Sequence, residues 1–332
     1  MNTPVTRTTR EMKKNNVLLV VNALKALNSA TKADLAAHTG LSVATCGTVL
    51  NDLCLTGEVL SLALDASSGG RPAQRYACNP DFFSVLSLYV EGNSSACRMS
   101  ALISSATGDV LEQLDTIPPS LSLEHFFDYI SGILTRYPNL QAMGIGLPGV
   151  IVNGVVASCD ISLFNDLPLV PMLQEKFGVF VQVGNDMNYT AYGFYRSNCP
   201  QESAPVAYLF QPEGECTGCG MVINGRVLQG ASHFAGEVSY IPLTPAADEQ
   251  IVERLGKIVV MLVAVINPVM VALSGPRIQE QEVEAIRRYC QSHLPAQHLP
   301  ALIYRPSIEQ DYLQGIAELT LESYNFHLAF EH

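Results

Sequence analysis

What the chain lacks narrows its class before any motif is read. No uninterrupted apolar run reaches the roughly 18 residues that a membrane helix needs. The longest, around Ile258 to Val271, is broken by Asn267-Pro268 and reads as a buried helix feeding a strand. The first residues are polar and basic, without the apolar core of a signal peptide, so no membrane partner is expected and the expected compartment is the cytoplasm. Nine cysteines, an odd number without regular spacing, argue against a disulfide framework. The one pair with metal or redox spacing, Cys216-Thr217-Gly218-Cys219, lies in a Gly-rich loop with no second pair nearby and reads as a turn. Positive charge is scarce and unevenly placed. Through residue 80, eight Lys or Arg stand against five Asp or Glu, giving +3; the rest carries eleven against twenty-six, giving −15. DNA is attracted to the first segment and repelled by the second.

What is present fits that division. At 332 residues and 48% hydrophobic composition, two or three folding units and a large core are expected. The region from Leu35 to Leu53 carries a helix-turn-helix pattern: Leu35-Ala36, Gly40-Leu41-Ser42, Thr45-Cys46, Val49-Leu50 and Leu53. Ala36 is small enough for two helices to cross closely, Gly40 suits the left-handed end of the first helix, and Ser42 suits the N-cap of the second. Leu41, Cys46, Val49, Leu50 and Leu53 form an apolar face, which leaves Val43, Ala44, Thr45, Gly47, Thr48 and Asn51 outward, on the side that enters a major groove. Val17, Leu18, Val21, Leu24 and Leu27 predict a supporting helix upstream.

Downstream, Gly57 to Leu60 and Gln74 to Tyr76 read as two short strands around a Ser67-Ser68-Gly69-Gly70-Arg71-Pro72 tip, a wing that presents Arg71 to a narrow minor groove. The expected DNA contacts are Ser42, Thr45, Thr48, Asn51 and Arg71. The outward helix face has no Lys or Arg, so base readout rests on hydroxyls, one amide and apolar contact with thymine methyls. The plainer alternative is two packed helices of a globular core.

After Asn79-Pro80 the pattern changes to strands alternating with helical stretches, an α/β class. Phe83 to Val90 is strand-like, and Arg98 to Ser104 with Thr107 to Leu111 reads as a hairpin. Met143 to Ile151 is a buried strand ending in a Gly-Pro turn, and Val179 to Val183 leads into Gly184-Asn185-Asp186.

Four runs then carry a specific resemblance: GIGLPG to Gly149, NDMNYTAYG from Asn185 to Gly193, INGRVLQGASHFAGEVSY from Ile223 to Tyr240, and INPVMVALSG from Ile266 to Gly275. In this order they resemble the signatures of the ROK family, which comprises repressors, uncharacterised open reading frames and sugar kinases. Gly69 to Ala73 resembles the wing of its repressor branch. The resemblance implies a winged helix-turn-helix at 1–80, followed at 81–332 by an actin-like, ribonuclease-H-like domain. Its lobes would lie at roughly 81–187 plus the C-terminal helix, and 188–312, with a sugar between them. It also implies that Asp186 matches the kinase general base, that Asn185 holds a second hydroxyl, that Glu237 contacts sugar, and that backbone near Gly149 lines the cleft. Taken alone, an Asn-Asp or Gly-Glu step at a strand end also reads as a turn. His233 is a further candidate sugar contact or an ordinary loop histidine.

Departures from the family pattern fall on one chemistry. The first phosphate loop, Asp-x-Gly-Gly-Thr in the kinases, is here Glu91-Gly92-Asn93-Ser94-Ser95-Ala96. The second is Gly214-Glu215-Cys216-Thr217-Gly218-Cys219-Gly220, with a glutamate where phosphate oxygens would come. Phosphoryl transfer depends on positioning and charge neutralisation, so loss of both predicts no enzyme activity and no catalytic residue in use, even with Asp186 kept. Tyr240 stands in place of the family's zinc histidine, and Thr244 to Gln250 runs straight into a helix from Ile251 to Ile266, so no metal and no cofactor are expected. The expectation is a homodimeric or tetrameric DNA-binding regulator answering to a sugar or sugar phosphate. Three alternatives stand beside it: an active sugar kinase, a regulator that has lost its sugar site and answers to a protein partner, and a chain that no longer binds DNA.

Overall fold

A computed structural model of the chain describes residues 9–64, 73–93, 96–118, 120–199, 203–214, 216–242 and 251–331. The first unit begins with α1 (Thr9–Leu27), β1 (Ala30–Thr31), α2 (Lys32–Thr39) and α3 (Val43–Thr56), and closes with β2 (Val59–Leu64) and β3 (Gln74–Cys78). Its core holds Val20, Ala23, Leu24, Leu35, Cys46, Val49, Leu50, Leu53 and Val59. Thus the buried stripe of α1 runs through Val20 and Ala23, whereas Leu27, expected inside, is exposed. The apolar residues of this helix are so dense that spacing alone does not fix which of them turn inward. The three strands form one sheet in the order β1-β3-β2, and the two-residue β1 had no signal in the sequence.

The second unit starts with the meander β4 (Ser84–Asn93), β5 (Ala96–Ser105) and β6 (Val110–Thr116), so the expected hairpin is part of a three-stranded ribbon. The helix α4 (Leu123–Arg136) leads to β7 (Leu140–Leu147), the small hairpin β8 (Gly149–Val152) and β9 (Val155–Cys159), then α5 (Leu169–Phe177) and β10 (Phe180–Asn185). The strands assemble as β10-β7-β4-β5-β6, with β7 and β10 parallel to β4. Apolar side chains of α4 and α5, including Phe126, Ile130, Leu169 and Leu173, cover one face of this sheet.

The chain then enters α6 (Asp186–Asn198) and builds a second sheet from β11 (Val206–Phe210), β12 (Gly218–Ile223), β13 (Arg226–Val227), β14 (Met270–Ser274) and β15 (Ala301–Arg305), ordered β13-β12-β11-β14-β15. The helices α7 (Ile251–Ile266) and α8 (Glu280–His293) back it on one face. On its other face lies α6, through Ala191, Phe194 and Tyr195 against Tyr208, Val222 and Ala272.

The last helix, α9 (Glu309–Glu331), takes the corresponding place on the first sheet, with Tyr312 and Ile316 beside Tyr89. The two inner helices meet at backbone distance. A Cβ on Gly193 would collide with the Asp311 carbonyl, and one on Gly315 with the Tyr189 carbonyl. Only residues without a side chain permit so close an approach. The same α9 also packs against α1, so one helix touches the first sheet, the second sheet's partner helix and the N-terminal unit.

Candidate functional site

The N-terminal unit is built by its caps. Thr31 and Asp34 form a capping box at the start of α2: the Thr31 amide donates to Asp34 Oδ2 at 2.9 Å, and the Asp34 amide donates to Thr31 Oγ1 at 3.2 Å. The Thr31 amide bond, with the Thr31 hydroxyl next, holds the Asp34 carboxyl below its usual range. Gly40 ends α2 at φ 74°, and Ser42 caps α3 by accepting the Thr45 amide at 3.0 Å. The turn is therefore the one the sequence implies. The Ser42 hydroxyl also meets the Thr45 hydroxyl at 2.8 Å, so these two side chains are engaged with each other. Thr48 Oγ1 donates to the Ala44 carbonyl, and Asn51 is exposed.

Gly47 is a correction. It is buried rather than outward, and a Cβ there would touch the Lys32 side chain, because α2 crosses α3 at that point. Arg71 and the wing tip lie outside the described residues. On the wing's base Arg75 has an inward task, with NH2 donating to the Ser29 carbonyl at 2.7 Å.

The second constellation gathers where β7 and β10 end. Asn185 caps α6, accepting the Asn188 amide at 3.0 Å, while its Nδ2 donates to the Gly149 carbonyl at 3.0 Å. Both ends of that amide work inside the protein, which makes Asn185 chiefly a brace between the helix start and the β8 turn. One N–H and one lone pair remain for a ligand. Gly149 is packed so tightly on the Ser158 carbonyl of β9 that no side chain fits there.

Asp186 is the first residue of α6, next to Asn185. It is crowded by protein yet still reached by solvent, and its Oδ1 accepts the Met187 amide at 2.8 Å. Burial pushes its carboxyl up to about 7, and the nearby negative charges of Asp160 and Glu237 act in the same direction. Glu237 follows Gly236, which at φ 99° leans on the Cys219 carbonyl, and its own side chain is exposed. His233 stands half-buried at φ 59° in the loop before it.

Asp160 was not singled out by the sequence. It follows the β8–β9 hairpin, which folds back so that the Asp160 amide donates to the Pro148 carbonyl at 3.0 Å; only that return brings it near Asp186. Among the described residues no group of acidic, histidine or cysteine side chains is arranged to hold a metal ion.

The positions of the two phosphate loops are occupied differently. Strands β4 and β5 are paired out to Asn93 and Ala96, on either side of the middle of the first segment. Arg98 fastens it, with NH2 2.9 Å from Asp115 and 3.0 Å from Glu309 on α9, and NH1 3.5 Å from Glu91. In the β11–β12 loop, Gln211 Nε2 donates to the Gly214 carbonyl at 2.8 Å, Thr217 Oγ1 donates to Gln211 Oε1 at 2.6 Å, and the Thr217 amide donates to Ser239 Oγ at 2.8 Å. The Thr217 amide thus already has an internal acceptor. The two cysteines of the loop face opposite ways: Cys216 is exposed, while Cys219 is buried and its thiol is pushed up to about 12 by burial.

Residues 98–251 match the family described as the ROK family. The xylose repressor of Bacillus spizizenii is 26% identical over 237 residues, covering 70% of this chain and 61% of the repressor, so the chain spans about three fifths of the length of such relatives. The N-acetyl-D-glucosamine kinase of Vibrio cholerae serotype O1 is 29% identical over 143 residues, 42% of this chain and 44% of the kinase. Among solved structures, a ROK family transcriptional regulator described as a homologue of the E. coli MLC protein superposes with a TM-score of 0.77. The match covers 97% of this chain and 100% of that one at 16% identity, a likeness of fold.

Proposed function

Because the chain carries a ROK family domain, we propose that it is a sugar-responsive DNA-binding repressor, in which residues 1–80 read an operator and residues 81–332 sense the inducer and mediate pairing of subunits. What supports this reading is the union in one chain of a helix-turn-helix capped by Gly40 and Ser42 with a ROK-type α/β unit in which the Thr217 amide is already bonded to Ser239. The repressor names among the relatives support it.

In this reading α3 enters the major groove with Thr45, Thr48 and Asn51 towards the bases, while Ser42 holds the helix end and Arg71 reaches the minor groove. The contact surface has few cations, so sequence-independent attraction is weak and specificity depends on direct fit. The inducer occupies the cleft between Gly149, Asn185, Asp186, Glu237 and His233. Asp186 accepts from or donates to a sugar hydroxyl according to its protonation. Without phosphate cradles the carboxylate has no phosphoryl group to direct an alkoxide towards, so the chain turns over no nucleotide. Two copies place their recognition helices about 34 Å apart, one turn of B-DNA, and a small change in lobe angle on inducer binding spoils that spacing. Among the described residues no helix is long and apolar enough to cross a membrane.

The test is fluorescence anisotropy on a DNA fragment selected in vitro by the full chain, titrated with xylose, glucose and N-acetylglucosamine. One of these sugars is expected to release the wild-type protein, while Asp186→Ala binds DNA as before and ignores the sugar. Failure to select any fragment would overturn the DNA-binding half. Unchanged sugar-dependent release in the variant would remove Asp186 from the site, and ATP consumption with any of the sugars would restore the kinase reading.

A further inference from the structure

A cavity of about 410 Å³ adjoins the residues just described and shares Asn185 with them. It is bounded by the end of β10, the first turn of α6, the β12–β13 hairpin and the outer turns of α9. None of Asp160, Asp186 and Glu237 lines it. Its size falls within the roughly 300–1,000 Å³ range of small-molecule sites.

Its walls carry unspent polar capacity. Gln182 Oε1 is buried and accepts no hydrogen bond of acceptable geometry. Arg226 is exposed at the hairpin, and its side chain makes no hydrogen bond or ion pair with any other described residue. Glu322 of α9 accepts the Tyr192 hydroxyl at 2.8 Å through Oε2, leaving its second oxygen to the cavity. Asn188, Asn224 and Gln229 add amides that both donate and accept. A guanidinium with open donors matches a carboxylate or phosphate in a forked geometry. A carboxylate and several amides opposite it match hydroxyls. We propose that this cavity is a second effector site that takes a small polyhydroxylated anion, a sugar acid or sugar phosphate, with Arg226 holding the anionic group and Gln182, Glu322 and the amides holding its hydroxyls.

The position gives the site leverage. Leu319 and Glu322 lie on the same helix as Glu318, which pairs with Arg196 at 3.3 Å. Glu318 is also within electrostatic reach of Lys25 on α1, whose ammonium is buried without a hydrogen-bond partner. A ligand that fills the cavity therefore bears on the segment of α9 against which the N-terminal unit rests, and its differential affinity for two settings of that contact changes DNA affinity.

The experiment is isothermal titration of the full chain with gluconate, glucose 6-phosphate, neutral glucose and inorganic phosphate, on wild type, Arg226→Ala and Asp186→Asn. The expected result is binding of gluconate or glucose 6-phosphate by wild type, weakened about tenfold or more in Arg226→Ala, as for loss of one partner of a charge-assisted contact, and unchanged in Asp186→Asn. Arg226 is exposed, so the variant keeps its fold, and circular dichroism verifies it. The proposal is overturned if neither anionic sugar binds at millimolar concentration, or if Arg226→Ala binds as wild type does. It is equally overturned if Asp186→Asn abolishes binding, which assigns the ligand to the main cleft, or if inorganic phosphate binds as tightly as glucose 6-phosphate, which leaves a bare anion site. Operator binding is read separately, so failure here leaves the repressor reading standing.

Discussion

Replacing Asp186 by Asn, which has the same shape and cannot ionise, isolates the cost of holding a carboxylate at the start of α6. Burial, reinforced by Asp160 and Glu237, raises this carboxyl from 3.8 to about 7. The folded chain therefore keeps a proton that the unfolded chain has released, and between about pH 4 and pH 7 the unfolded state binds fewer protons. Stability must fall as pH rises through that window, with no penalty below it and the full penalty above it. At about 1.36 kcal/mol per pH unit the full penalty is about 4 kcal/mol, reduced in so far as solvent reaching the carboxyl screens it.

Asp186→Asn is accordingly expected to be more stable than wild type by up to about 4 kcal/mol at about pH 8, and equal to it near pH 4. The chain has no tryptophan and 13 tyrosines, so urea unfolding is followed by tyrosine fluorescence beside far-ultraviolet circular dichroism. Asn keeps an acceptor for the Met187 amide, so the local hydrogen bond is not lost. A stability gain of equal size at both pH values would refute the argument, since a packing effect does not titrate. So would a wild type more stable than the variant at about pH 8.

Two further substitutions test the scaffold. Leu50 is fully buried in the N-terminal core, so Leu50→Ala is expected to cost about 2–5 kcal/mol and to abolish operator binding while sugar binding survives; retained affinity in a gel shift would contradict this. Gly315→Val puts a side chain into the Tyr189 carbonyl, so it is expected to cost more than the about 1–3 kcal/mol of ordinary overpacking; an unchanged unfolding midpoint would show that α6 and α9 are not held at backbone distance.

How much of this was legible in the sequence depended on how local the cause was. Gly40 and Ser42 act within one turn, and both ends of the helix-turn-helix follow from them. The helix from Ile251 to Ile266 is long and dense in apolar residues, and its bounds were read directly. Gly47 was misplaced because its direction is set by Lys32, fifteen residues earlier and on another helix. Asp160 was missed because a hairpin return, visible only as backbone pairing, carries it near Asp186. Asn185 and Asp186 are singled out by the family resemblance, yet what distinguishes them, the contacts with Gly149 and Met187, no pattern of residue types encodes. The cavity beside Arg226 joins three stretches far apart in sequence and has no linear signature.

The place of α9 has a consequence for how the chain is made. The N-terminal unit is built mainly from contacts within its own first eighty residues and can order while synthesis continues. The first sheet is different: one of its faces waits for Tyr312, Ile316 and Tyr324, which emerge some two hundred residues after its opening strand. Until then β4 and β7 present an uncovered apolar surface on the ribosome, and the nascent chain needs protection there for most of its synthesis. The proposed reader of DNA is thus finished early, and the part proposed to tell it when to let go is finished last.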